Sequence, residues 1–302
     1  MGLKVRRAHR EELPGLQVLR EAVRGAGSAR GRIRLDLEMG ADPTLVHLQT
    51  HDPDGVLVVL DRDETLGFAA AHVRSRQWVL SDLWVLPQHQ GRGAGGLLLR
   101  KAMAYGERSG ARERLALAPV EPAIQAVLLR AGLGPLQPVY LVRLEREAAR
   151  RVGSALAGLL PGQDVTDDFL KLRGHADLDR LDGLVRGIRR QVDHTHWVKE
   201  RGLELAFVRQ GNRVAAYGYG GQGQVGPVAG ATRDAALAAL GWSLRAAARN
   251  VESVEVQVPA PFAEALEALL DGGGRIVGTS LLYGAEGRPK ADRWIPGPPS
   301  LP

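Results

Sequence analysis

Residues 3–8, LKVRRA, alternate apolar and polar side chains, the period-two pattern of a short strand. In REELPGLQVLREAV the apolar positions Leu13, Leu16, Leu19 and Val23 recur at helical spacing. A second helix is expected around DPTLVHLQTH, after a glycine-broken stretch. Three apolar runs follow with short polar turns between them: GVLVVLD, TLGFAAAHVRS and QWVLSDLWVLP. They predict an antiparallel meander. A glycine-rich knot comes next, and GGLLLRKAMAYGERSG then reads as an amphipathic helix through Leu97, Leu98, Ala102 and Tyr105. RERLALAPV predicts a strand, PAIQAVLLRAGL a helix and PLQPVYLVRLE a last strand.

The same order then returns. VTDDFLKLR reads as a strand, DLDRLDGLVRGIRRQV as one helix, and residues 203–231 as a second meander. RDAALAALGWSLRAAARN, VESVEVQVP, PFAEALEALLDGG and RIVGTSLLYG complete the set as helix, strand, helix, strand. GVLVVLDRDETLGFAAAHV aligns with LELAFVRQGNRVAAYGYG, and the two C-terminal helix–strand pairs align as well. The expected fold class is α/β of the mixed α+β kind. It comprises two domains, each a mostly antiparallel mixed sheet flanked by helices. The expected boundaries are 1–146 for the first domain, 147–164 for a connector that is helical in part, 165–290 for the second domain and 291–302 for a tail. The Pro-rich tail PGPPSLP reads as a poorly ordered end.

Composition narrows the class. The chain has 302 residues, 44% hydrophobic and 25% charged, which suits a globular protein of about two domains. No apolar run approaches the ~20 residues of a membrane helix, and the N-terminus lacks the apolar segment of a secretory signal. With no cysteine there is no disulfide, thiolate metal site or Cys nucleophile, and the cytoplasm is the expected compartment. The net charge is +6, carried mostly by scattered arginines, while aromatics are only 5%. Nucleic-acid binding would call for a basic stripe with interleaved aromatics, so it is not expected. His194 and His196 lack a carboxylate cluster beside them, and no metal is expected.

The glycine knot decides the ligand. Gly91, Gly93 and Gly96 satisfy G-x-G-x-x-G, the dinucleotide fingerprint. That fingerprint belongs in the first turn of a parallel βαβ unit, with the strand running straight into the first glycine. Here the strand is third in a meander, and PQHQ stands between it and Gly91. The stretch is better written Gln90-Gly91-Arg92-Gly93-Ala94-Gly95, opening a long helix. Backbone N–H groups at that helix start, with the helix dipole, suit a pyrophosphate, and side chains there would block its approach. VLPQHQGRGAGGLLLRKAM resembles the acetyl-coenzyme A signature of the GCN5-related N-acetyltransferase (GNAT) family. The strand order from residue 3 to about 145 fits that family, and the second half resembles the same fold by its repeat order.

The resemblance implies acetyl-CoA as co-substrate and an amine acceptor. Gln90, Gly91, Arg92, Gly93, Ala94, Gly95 and Gly96 would hold the pyrophosphate, and Leu83, Trp84 and Val85 would pair their backbone with the pantetheine arm. Acetyl transfer needs a base for the amine, support for the oxyanion and a proton for the thiolate. Asp82, a carboxylate in an apolar strand, is the candidate base; the alternative is an Asp that satisfies a neighbouring backbone donor. Ser81 stands where many family members carry Glu. The family's helix Tyr is missing, since Val127 and Leu128 occupy that part of the helix, and Tyr140 on the next strand is the candidate substitute acid. The second copy reads TRDAALAALGW at the equivalent of the loop, with Thr232 or Asp234 as N-cap and no glycine signature. It is expected to have lost coenzyme A binding, which leaves one active site per chain. The expected activity is N-acetyl transfer to a small-molecule or peptide amine, without nucleic-acid or membrane partners and with a homodimer as the candidate assembly. The competing reading is a non-catalytic acyl-CoA-binding scaffold.

Overall fold

The computed structural model describes residues 2–27, 41–160, 165–166, 176–211, 213–285 and 290–297. The chain forms two compact units. One is Met1–Ala116 with Pro122–Gly134, and the other is Leu117–Glu121 with Pro135–Pro302.

The first unit runs β1 (Lys4–Arg7), α1 (Leu13–Gly27), α2 (Pro43–His51), β2 (Val56–Asp61), β3 (Glu64–Arg74), β4 (Gln77–Val85), α3 (Ala94–Arg108), the start of β5 (Glu113–Pro119) and α4 (Pro122–Arg130). Strands β1 to β4 are antiparallel in sequence order, as the meander predicts. Strand β5 adds in parallel to β4, from Gln77↔Glu113 to Leu80↔Ala116. β2 is apolar on both faces up to Asp61 because helices cover both sides of the sheet. Asp42 caps α2, accepting from the Thr44 N–H at 2.7 Å. On α3, the Tyr105 hydroxyl donates to Asp52 at 2.6 Å, and Asp52 also accepts from the Val73 N–H and Arg74. This buried network fastens α3 to β3.

The second unit opens with β6 (Gly134–Glu145) and α5 (Arg146–Ala157). It continues through β7 (Val165–Thr166), α6 (Ala176–Arg186), α7 (Gln191–Lys199), β8 (Glu204–Gln210), β9 (Arg213–Gly221), β10 (Gln224–Gly230), α8 (Arg233–Ala247), β11 (Ser253–Pro259), α9 (Ala263–Asp271), β12 (Arg275–Ala285) and β13 (Trp294–Ile295). From β7 to β12 the order of elements repeats that of the first unit.

Four expectations change. The strand assigned to the end of the first domain is β6, and it pairs with β11 in seven consecutive residues, Val139↔Pro259 through Glu145↔Ser253. Its apolar face is covered there: Val142 and Leu144 are fully buried in the core of the second unit. The expected connector is in part a core helix. Ala148, Ala149, Val152 and Leu156 of α5 join the same core, and α5 crosses α8 closely enough that a Cβ on Gly153 would meet the Gly241 carbonyl oxygen at 2.8 Å. The helix expected over 177–192 is broken, since Gly187 takes φ +74° and separates α6 from α7. Finally, the expected tail is built in through residue 297: β13 pairs with β10, and Trp294 and Ile295 are buried. Residues 298–302 lie outside the described residues, as do 167–173 of the expected strand over 165–173.

Candidate active site

The glycine knot folds as a short 3-10 turn, Pro87–His89, followed by a left-handed turn. Gly91 (φ +74°) and Gly93 (φ +85°) occupy backbone space that a side chain would strain, and Gly93 is the N-cap of α3. No side chain caps the helix. The first intrahelical bond runs from the Leu97 N–H to the Gly93 carbonyl, so the N–H groups of the first turn carry no helical acceptor. Gly91, Gly93 and Arg92 are exposed, Gly95 and Gly96 half-buried, and Ala94 buried against the unit. A Cβ on Gly95 would rest 3.7 Å from Val85, an ordinary contact, so nothing among the described residues demands glycine there. Gln90 donates its amide to the Val85 carbonyl at 2.9 Å. It ties the loop to the end of β4.

Strand β4 is bulged. Its partners on β3 step from Ala70↔Asp82 to Ala71↔Leu80, which leaves Ser81 as the extra residue. A bulge turns the following side chains and breaks the ladder locally. On the other side, the parallel register with β5 ends at Leu80↔Ala116. Among the described residues of this unit, Ser81 to Val85 therefore have β3 on one side and an open backbone edge on the other. Leu83, Trp84 and Val85 line that edge.

Asp82 is 4% exposed. Its Oδ1 accepts from the Trp84 indole N–H at 2.7 Å and lies 3.7 Å from Arg20 Nη1. Oδ2 is buried without a hydrogen-bond partner among the described residues. Burial pushes the Asp82 carboxyl above its ordinary range; the Arg20 charge and the Trp84 bond offset only part of this. Arg20, on α1, also bonds Asp42 at the start of α2. Arg24 lies over the Trp84 ring at 5.2 Å. His72 on β3 meets the Ser81 hydroxyl at 3.0 Å. The sequence reading missed Arg20, Asp42 and His72. A signal existed for two of them: Arg20 falls on the stripe of Leu13 and Leu16, and His72 continues the alternation of Phe68 and Ala70.

Tyr140 lies on β6 opposite Val258, packed against the core of the second unit. Val127 and Leu128 sit on α4, with Leu128 buried.

The second unit repeats the registers of the first. The turn after Asp61↔Glu64 corresponds to that after Gln210↔Arg213. Counting from it, Tyr217 stands where Phe68 stands and Tyr219 where Ala70 stands. The bulge recurs between Val225 and Val228, and Pro227 takes the place of Asp82. Proline offers neither a carboxylate nor an N–H. Thr232 caps α8 through the Ala235 N–H, so that helix start is closed where α3 is open. On the face that holds Asp82 in the first unit, the second carries a wholly buried network. Asp182 accepts from Arg190 Nε (2.7 Å), His194 Nε2 (3.0 Å) and the Tyr217 hydroxyl, and His194 Nδ1 meets the Tyr219 hydroxyl at 2.8 Å. Burial opposes the Asp182 charge, but Arg190 and His194 outweigh it and hold the carboxyl well below its usual range. The Arg186 guanidinium is brought down to about 9, by burial first and then by Arg190. Among the described residues no group of three or more His, Asp or Glu could hold a metal ion.

A mixed sheet with a bulged, open-edged fourth strand running into a glycine turn without a side-chain cap places the chain in a class by fold, that of the GCN5-related N-acetyltransferases. Comparison with known proteins agrees. Residues 29–131 match the profile of the Acetyltransferase (GNAT) family. An assigned acetyltransferase from Pyrococcus horikoshii is similar over 97% of this chain and 93% of its own, with TM-score 0.72 and 14% identity. A GCN5-related N-acetyltransferase from Sphaerobacter thermophilus is similar over 96% and 97%, with TM-score 0.62 and 16% identity. A tandem GNAT protein from the clavulanic acid biosynthesis pathway is similar over 95% and 99%, with TM-score 0.59 and 14% identity. No curated protein matches the sequence. The match over residues 29–131 and these structural likenesses give the chain the fold of the GNAT family.

Proposed function

We propose that the chain is an acetyl-CoA-dependent N-acetyltransferase with one active site, in the first unit, acting on a primary amine of a small molecule or peptide, and that the second unit is a GNAT copy without a cofactor site. The carrying observation is the junction of β4 and α3: an open strand edge, a bulge holding a buried carboxyl, and uncapped N–H groups behind two left-handed glycines. The first-turn N–H groups of α3 take the pyrophosphate, and Arg92, exposed beside them, adds charge. The open edge at Leu83–Val85 takes the pantetheine amides as an added strand would. Asp82 Oδ2 accepts the amine proton, directly or through one water. The nitrogen then forms its bond to the thioester carbonyl carbon, and a backbone N–H at the bulge supports the oxyanion. When the C–S bond breaks, the thiolate takes its proton from solvent. The cytoplasm is the proposed compartment. Among the described residues no helix is long and apolar enough to cross a membrane.

The missing helix tyrosine keeps a second reading in play, a GNAT fold that binds acyl-CoA without turnover. Calorimetry with coenzyme A and thiol release from acetyl-CoA across an amine panel separate the two. The proposal expects one equivalent bound and amine-dependent release that Asp82→Asn lowers by about 10²- to 10⁴-fold. Tight binding with no release on any amine would establish the second reading instead.

A further inference from the structure

In the second unit the slot that is open in the first is filled by the chain itself. The parallel register of β10 with β11 ends at Val225↔Val256, as that of β4 with β5 ends at Leu80↔Ala116. Beyond that point β13 pairs with β10, Val228↔Ile295 and Ala229↔Trp294. Val228 and Ala229 correspond by register to Leu83 and Trp84, the open edge of the first unit. A Cβ on Gly226, in the recurring bulge, would run into the Pro296 carbonyl oxygen. Just before β13 a single 3-10 turn, Ala291–Arg293, sits at the start of α8. There Asp292 accepts from Arg233 Nε at 3.1 Å, and Arg293 donates to the Ala231 carbonyl at 2.9 Å. The segment thus presents a carboxylate near the helix start and an extended amide chain along the bulged strand. That is the arrangement of charge and amides which the first slot asks of its ligand.

We propose that Lys290–Gly297 is an intrinsic ligand of the second unit, shutting a latent slot whose natural class of occupant is an extended, amide-bearing chain. The proposal rests on the reading of the first-unit slot only for its comparison; the occupancy itself stands on β10, β11 and β13. It explains why losing the glycine loop does not leave an unpaired strand edge inside the fold.

The test uses a chain ending at Ala285 and a synthetic peptide of residues 290–297, whose Trp294 fluorescence and calorimetric heat report binding. The truncated chain is expected to take up one peptide, and the intact chain none. A truncated chain that is folded by circular dichroism yet ignores the peptide overturns the proposal. Should truncation prevent folding, the intact chain decides. It has no cysteine, so Val228→Cys with Ile295→Cys places a single thiol pair on directly opposed residues. The expected result is a quantitative intramolecular disulfide with oxidised glutathione, with coenzyme A stoichiometry still one. Failure to cross-link, or two equivalents of coenzyme A on the intact chain, overturns the proposal. Loss of all coenzyme A binding would instead count against the proposed function and leave the peptide and cross-link results to decide the slot.

Discussion

Asp82 and Asp182 show how neighbours set what a buried carboxylate does. Among the described residues Asp82 has one indole donor, a guanidinium at 3.7 Å and an oxygen without a partner, so burial dominates and its proton affinity rises. Asp182 has three donors, two of them basic, and stays charged. A group whose pKa is raised on folding holds its proton longer in the native than in the unfolded state. Stability therefore falls as pH rises from the ordinary carboxylate value through the raised one. Asp82→Asn should remove that fall, and urea midpoints from mildly acid to neutral pH would show a flatter profile than the parent. Asp182→Ala should act the other way. It leaves Arg190 buried without its carboxylate partner, at a cost of about 3–5 kcal/mol in urea unfolding near neutral pH. A loss under about 1 kcal/mol would mean that the network relaxes without its centre.

At the scale of elements, the start of α3 separates backbone demand from ligand demand. Gly93→Ala puts a side chain at φ +85°, so it should lower stability by about 1 kcal/mol and weaken coenzyme A binding together. Gly95→Ala meets only Val85 at 3.7 Å and sits inside the first helical turn, so thermal stability should hold or rise. Its coenzyme A affinity should nevertheless fall about tenfold or more by calorimetry, because the methyl group would stand where the proposed pyrophosphate approaches. Unchanged affinity in Gly95→Ala would remove the loop from the cofactor site. The open edge of β4 and the filled edge of β10 are the same element under two fates, and the difference lies in residues 290–297.

At the scale of the whole molecule, the repeat does not divide the chain where the sequence pauses. β6 completes the sheet of the second unit through its pairing with β11. A fragment of residues 135–302 should stay soluble and cooperative in thermal unfolding, while one of residues 147–302 should expose the seven-residue edge of β11 and aggregate. Equal behaviour of the two would mean that β6 is dispensable to that sheet.

The sequence by itself determined the repeating order of strands and helices, though not the break between α6 and α7 or strand β13, because periods of two and 3.6 report which face of a segment is apolar. It also determined the glycine turn, because left-handed φ values leave a residue-type mark. Asp82 was legible as a carboxylate among Val, Leu and Trp. Only the tertiary structure decided where the apolar faces of β6 and α5 would be buried, since such a face names no partner. Arg20 and His72 were readable only as positions on a stripe, and their link to the bulge required β3, β4 and α1 to meet. The strand partners of Tyr140 and of Trp294–Ile295 were decided the same way. A tyrosine on a strand and two apolar residues near a chain end carry no local sign of the edge they will join, because strand pairing is set by backbone groups that every sequence shares.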